Sequence, residues 1–322
     1  MSPVSKAKDY DGGRKTLQQR MVALLSRLAP SEGYNLCAMP DVRFLRSNRP
    51  LAATPVLYDP GIVIVCQGRK RGLFGDEVYV YDDQHYLAVS VPVPFTMETD
   101  ATADEPLLAI YMHLDFTLAA DLMLQIDQSG YSQPMEPKGM MSSPMGLRLG
   151  ETVLRFLEAM VDPLEASVLG HALVREIYFH VLNGDQGPSM RAALAMQGQF
   201  GKIARVLRRI HATFGADLDV AQMAREAGMS VATFHSHFKA VTNTSPMQYL
   251  KSTRLHQARL LMLRNGMSAA RASSEVGYES PSQFSREFKR LFGRSPVDEV
   301  RRMKESFAIP PAHPGSMYVS SH

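Results

Sequence analysis

Residues 221–300 hold one segment written twice, so any fold for this chain must accommodate two copies of one small unit. Ala221, Ala224, Glu226 and Gly228 recur forty-nine positions later as Ala270, Ser273, Glu275 and Gly277. Beyond one inserted residue, Phe234, Phe238, Lys239, Ser245 and Pro246 return fifty positions on as Phe284, Phe288, Lys289, Ser295 and Pro296. Two copies are too few to stack as a solenoid. Each encodes a short helix, a glycine turn and a second helix with Phe and Lys at fixed spacing, which is a helix-turn-helix.

In the first copy Asp219 caps a helix over 220–227, and Gly228 ends it in a left-handed turn where a Cβ is unwelcome. Ser230 caps a second helix over 231–241. Phe234 and Phe238 lie one turn apart and face the core, so Ala232, Thr233, His235, Ser236 and Lys239 face outward. In the second copy Ser268 starts the first helix, Gly277 makes the turn, and Ser280 caps a helix over 281–292 with Pro281 at the favoured first position. Phe284 and Phe288 point inward there, which leaves Ser282, Gln283, Ser285, Arg286, Lys289 and Arg290 outward. Helices of this kind fit a DNA major groove, their N-terminal halves on base edges and their basic ends near phosphates. Between the copies, residues 246–264 read as one helix about 28 Å long. That length suits two recognition helices in successive major grooves of a duplex, whose repeat is about 34 Å.

Charge agrees with that partner. Residues 199–307 carry 18 Lys+Arg against 9 Asp+Glu, a net +9, while the remainder is −6. A basic third on an acidic body points to a polyanion partner for that third alone. The chain of 322 residues is long enough for two cores. Two cysteines, Cys37 and Cys66, give no disulfide framework and suit a reducing cytoplasm. No run of about 18 apolar residues argues for a membrane span.

Ahead of the repeat, residues 1–13 read as a disordered tail and 14–28 as an amphipathic helix. Short β-rich runs follow at 56–58, 62–66, 77–81, 86–91, 95–98 and 107–113, separated by turn residues such as Asp59-Pro60-Gly61. Their spacing favours an antiparallel sandwich or small barrel. Helical spacing returns at 118–126, 147–160 and 166–182, with broad apolar faces that must pack on the sheet or across a dimer. Residues 184–199 read as a linker and 308–322 as a flexible tail. The expected fold is α+β: a sensing and dimerisation domain over 14–183, then an all-helical DNA-binding domain over 200–307.

Residues 277–296 (GYESPSQFSREFKRLFGRSP) closely resemble the signature of AraC/XylS-type transcriptional regulators. The family pattern usually continues with an aromatic and an Arg, of which Val300-Arg301 keeps the Arg. The stretches 67–71 (QGRKR), 75–76 (GD), 79–82 (YVYD) and 85–90 (HYLAVS) resemble the β-sheet sensor module of one branch of that family. The resemblance implies a cupin-like effector domain, a homodimer, duplex DNA and RNA polymerase as partners, and transcriptional regulation, activation included, in the cytoplasm. It does not identify the effector.

For an effector site the sequence offers Arg69, Lys70 and Arg71, with Tyr79 and Tyr81 on the next run. The basic cluster reads as a turn between strands, which is either a solvated hairpin or a salt-bridge partner for the acidic body, or else a site for a phosphate or carboxylate. Cys66 beside it reads either as inert packing or as an electrophile-sensing thiolate. No metal or cofactor is expected: His235 and His237, two apart, point different ways on a helix, and the β-region holds only His85 and His113. An enzyme is therefore not expected. The alternatives are a constitutive DNA-binding protein whose β-domain only dimerises, and a cupin-type enzyme.

Overall fold

The structure is a computed structural model that describes residues 3–130 and 135–306. The expected tail at 308–322 lies outside the described residues. Helix α1 (Pro3–Leu28) comes first, then strands β1 (Gly33–Leu36), β2 (Val42–Ser47), β3 (Leu51–Tyr58), β4 (Gly61–Gln67), β5 (Arg69–Phe74), β6 (Glu77–Asp82), β7 (His85–Val89), β8 (Val93–Asp100) and β9 (Leu107–His113). Helix α2 (Phe116–Gln128) and strand β10 (Met140–Pro144) precede an unbroken helical series. These helices are α3 (Leu147–Ala159), α4 (Pro163–Leu182), α5 (Gly187–Leu194), α6 (Gly198–Thr213), α7 (Val220–Glu226), α8 (Val231–Thr242), α9 (Pro246–Arg264), α10 (Ala269–Glu275), α11 (Pro281–Phe292) and α12 (Pro296–Ser306).

The strands form one curled antiparallel sheet in the order β1-β2-β9-β4-β7-β6-β5-β8-β3, with β10 added to β7. The expected α+β architecture is present. Pro55 sits in β3 because that strand ends the path, where one row of ladder bonds is not needed. Strand β4 is buried along almost its whole length, since both sheet faces are covered. Ile62, Ile64 and Cys66 join one core with α1, α2, α3 and α4. Val63 and Val65 point the other way, into a core that continues through Phe200, Ile203 and Leu207 of α6 to Phe234 and Phe238 of α8.

Three expectations need correction. The stretch 1–13, expected to be disordered, is helical from Pro3, because extending a formed helix gains a hydrogen bond for each residue ordered. The stretch 184–199, expected to be a linker, contains α5 and the start of α6. Pro188 opens α5, Met190 and Ala193 are buried, and the Arg191 guanidinium donates to the Leu182 carbonyl that ends α4. The basic cluster, one reading of which was a solvated turn, is strand β5: Gly68, at φ +80°, makes the turn, and period-two alternation then buries Lys70 between Arg69 and Arg71.

Candidate nucleic-acid interface and junction cavity

The two helix-turn-helix units are built alike. Asp219 accepts from the Gln222 N–H at 2.7 Å to cap α7, and Ser230 accepts from the Thr233 N–H at 3.2 Å to cap α8. Ser268 and Ser280 do the same for α10 and α11, through the N–H groups of Arg271 and Gln283. Gly228 and Gly277 turn between the helices at φ +62° and +83°. At Gly277 a Cβ would fall 2.6 Å from the Gly215 carbonyl, so the turn needs glycine for space as well as for φ. Asn243, in the left-handed region, and Gly293 end the second helices.

Phe234, Phe238, Phe284 and Phe288 are all buried, as their spacing predicts. Ser230, Ala232, Thr233, His235, Ser236 and Lys239 are exposed, and so are Ser282, Gln283, Ser285, Arg286, Lys289 and Arg290; Ser280 is half-buried in its cap. Helix α9 joins the units over 19 residues.

Several residues that orient the second unit carried no signal in the sequence. Arg254 of α9 donates to the carbonyls of Phe214, Ala216 and Gly277. Lys251 and Tyr278 both donate to Glu287 of α11, at 2.9 and 2.8 Å. Burial works to raise the Glu287 pKa, but hydrogen bonds from Lys251, Tyr278 and Gln283 outweigh it and hold the carboxyl below its ordinary range. Arg259 and Glu299 form a fully buried pair at 3.2 Å, with Arg302 adding a 3.1 Å bond and the Arg259 guanidinium 4.3 Å above the Phe292 ring.

Arg259 also donates to the Pro55 carbonyl of β3, which brings the second unit against the sheet. Between them lies a cavity of about 160 Å³, lined among others by Tyr34, Lys70, Met97, Arg259, Arg302 and Met303. No Asp or Glu is among its lining residues. The Lys70 ammonium donates to Met97 Sδ at 2.9 Å, and the Tyr58 hydroxyl donates to the same sulfur at 2.8 Å. A thioether is a weak acceptor. Burial accordingly pulls the Lys70 pKa down to about 7.

The structure separates the residues grouped in the sequence as effector candidates. Lys70 alone of them lines the cavity, and Tyr81 is buried in the core on the same sheet face, in contact with Tyr58. Arg69 is exposed and pairs with Asp82, and Arg71 pairs with Glu98 and Asp100. Tyr79 lies outside, hydrogen bonded to Glu77. Cys66 is wholly buried on the opposite sheet face, where desolvation first and the Asp83 carboxylate second push its thiol up to about 12. A thiol at that value is protonated and inert at neutral pH, which favours the packing reading.

Two capped helix-turn-helix units on one rod-like helix, joined to a sheet domain across a cavity, define a DNA-binding regulator with a companion domain. Residues 38–189 match the model of the AraC-type transcriptional regulator N-terminus, and residues 223–302 match a helix-turn-helix domain model. The chain belongs to the AraC-type transcriptional regulators. It is similar to the transcriptional activator RhaS of Klebsiella pneumoniae, at 26% identity over 74% of this chain and 83% of that protein. It is also similar to the Msm operon regulatory protein of Streptococcus mutans, at 30% identity over 29% of this chain, and spans only 34% of that relative. Among solved structures, an apo ToxT variant of Vibrio cholerae superposes with a TM-score of 0.53 at 9% identity, over 80% of this chain and 97% of that one. Wild-type ToxT bound to an unsaturated fatty acid gives 0.50 at 12% identity, over 83% and 98%. At such identities the likeness is one of fold.

Proposed function

We propose that this regulator binds duplex DNA with both helix-turn-helix units, α8 and α11 entering successive major grooves, and that a small carboxylate effector occupies the junction cavity. The observation that carries the effector reading is Lys70, a buried ammonium whose one hydrogen-bond acceptor among the described residues is a thioether, in a cavity lined by apolar groups, hydroxyls and three arginines. An anion there would supply the missing counter-charge. An engineered apolar cavity of about 150 Å³ holds benzene, so the size suits a benzoate-like or short aliphatic acid. The fatty acid named for ToxT supports a carboxylate of this kind. A homodimer through α4 fits the same reading, because Leu164, Val168 and Leu169 stand exposed on that helix. Relatives named as activators support RNA polymerase as a further partner.

The test is a thermal-shift titration with benzoate and hexanoate on the full chain. We expect a rise in Tm that grows with ligand concentration and disappears in Lys70→Met. The carboxylate needs the protonated amine, and the free amine titrates near 7. Affinity is therefore full below pH 7 and falls as pH rises above it, by up to about tenfold per unit. An equal shift in Lys70→Met refutes the cavity assignment. Separately, absence of duplex binding at low salt refutes the DNA reading.

A further inference from the structure

The two recognition helices stand in different electrostatic surroundings. A groove of about 600 Å³ runs between α8 and two segments of the sheet domain, the β5–β6 turn and residues 136–140. Its α8 wall includes Ser236 and Lys239, two of the residues that face outward for DNA. The opposite wall carries Asp76, Glu77 and Glu136, with Lys138 as its single cation.

This groove is closed at one end by direct contact. A Cβ on Gly75, at the tip of the β5–β6 turn, would fall 1.6 Å from Asn243 Nδ2, so the turn backbone lies against the residue that ends α8. A Cβ on Gly139 would fall 3.0 Å from the Val241 carbonyl. Two separate stretches of the sheet domain thus rest on the C-terminal end of one recognition helix. No ion pair joins Lys239 to these acids among the described residues, so the lysine faces them across the groove without being bound. Arg286, Lys289 and Arg290 of α11 lie outside this groove and make no ion pair among the described residues.

We propose that this acidic wall guards α8 against DNA: in the arrangement seen here, Asp76, Glu77 and Glu136 occupy the side from which phosphates would reach Lys239. The proposal rests on the DNA-binding reading above and adds its regulation. A phosphate drawn to Lys239 enters the field of three carboxylates that line the same groove, a repulsion that grows as salt is lowered and the Debye length lengthens. The second unit carries no equivalent penalty. The chain in this arrangement engages DNA through α11 first, and full two-unit docking requires the β5–β6 turn to withdraw from Asn243.

The experiment compares the full-length wild type with a triple variant, Asp76→Asn, Glu77→Gln and Glu136→Gln, by fluorescence anisotropy on a labelled duplex from upstream of the protein's own gene. A control neutralises two exposed acids away from the groove, Asp104→Asn and Glu105→Gln. We expect the triple variant to bind about tenfold tighter near 50 mM salt, with a salt slope steeper by about one released counterion as Lys239 gains its phosphate. The control should match the wild type, and Lys239→Ala should abolish the gain. Equal affinity of triple variant and wild type overturns the proposal. So does a gain that the control reproduces or that survives Lys239→Ala, since either is a net-charge effect. If none of the folded proteins binds duplex at low salt, the DNA-binding reading itself falls.

Discussion

Phe238 of the first unit and Phe288 of the second hold the same place in the repeat, yet they belong to different cores. Phe238 packs edge-on against Tyr249, whose hydroxyl donates to the Pro92 carbonyl of the sheet domain, and its core runs without a break into Val63 and Val65 of β4. Phe288 lies in a smaller core with Leu255, Ala258, Phe284 and Phe292, enclosed by α9, α10 and α11. One unit is part of the sheet domain's hydrophobic interior; the other is a nearly separate body tied back through Arg254, Arg259 and Glu299. A repeat in sequence thus need not be a repeat in energetics, because burial depends on what lies beyond the motif.

The sharpest way to break this comparison is to cut both aromatics. Phe238→Ala and Phe288→Ala should each cost about 3–5 kcal/mol in denaturant unfolding. Hydrogen exchange should then separate them: Phe238→Ala exposes amides of β4 as well as α8, whereas Phe288→Ala exposes α10 and α11 and leaves the sheet protected. Equal loss of sheet protection in both variants would show one shared core.

On the DNA side, Arg286→Ala should weaken duplex binding by about 1–3 kcal/mol, with relaxed preference at one base position if the guanidinium reads a base. Lys239→Ala should cost less, because the acidic wall already limits that contact. Electrophoretic titration of both variants on one operator checks the order.

A third measure uses acid. His211 of α6 donates its Nε2–H to the Tyr249 oxygen at 2.8 Å, and burial lowers its pKa to about 3. A folded pKa below the ordinary 6.5 means that the unfolded chain takes up the proton first. The stabilisation is therefore complete above pH 6.5 and drains away as pH falls from there toward 3. Between pH 7 and pH 5 it should diminish by about 2 kcal/mol, read as a drop in Tm that His211→Gln flattens. Tyr249→Phe removes both bonds of that hydroxyl, leaving the Pro92 carbonyl short of a donor and the His211 N–H short of an acceptor, at about 1–2 kcal/mol.

The repeat, its caps and its turns were legible in the sequence because they are local: a cap acts over three residues, a glycine turn over one, and Phe spacing over four. The sheet was legible only where apolar runs were long. Strand β5 resembles a turn in the sequence, since Gly68, Gly72 and Gly75 and its three cations mask an alternation that Lys70 obeys. The junction was not legible at all. Its bonds join Tyr249 to Pro92 and Arg259 to Pro55, 157 and 204 residues apart, and no local pattern encodes a contact at that range. Helix α5 is hidden in the sequence because Gly184, Gly187 and Pro188 resemble a linker, although a proline at the start of a helix is favourable.

The Arg254 guanidinium, reaching the carbonyls of Phe214, Ala216 and Gly277, has a consequence for the genome rather than for the protein. It pins the turn of the second unit to the segment that leads into the first and, with the Lys251–Glu287 pair, holds the phase between α8 and α11 on a stiff rod. One base pair inserted between two half-sites rotates one of them by about 34° and shifts it by about 3.4 Å. A molecule locked in this way has no hinge to follow such a change, and the operators it occupies should hold their spacer length more strictly than their letters.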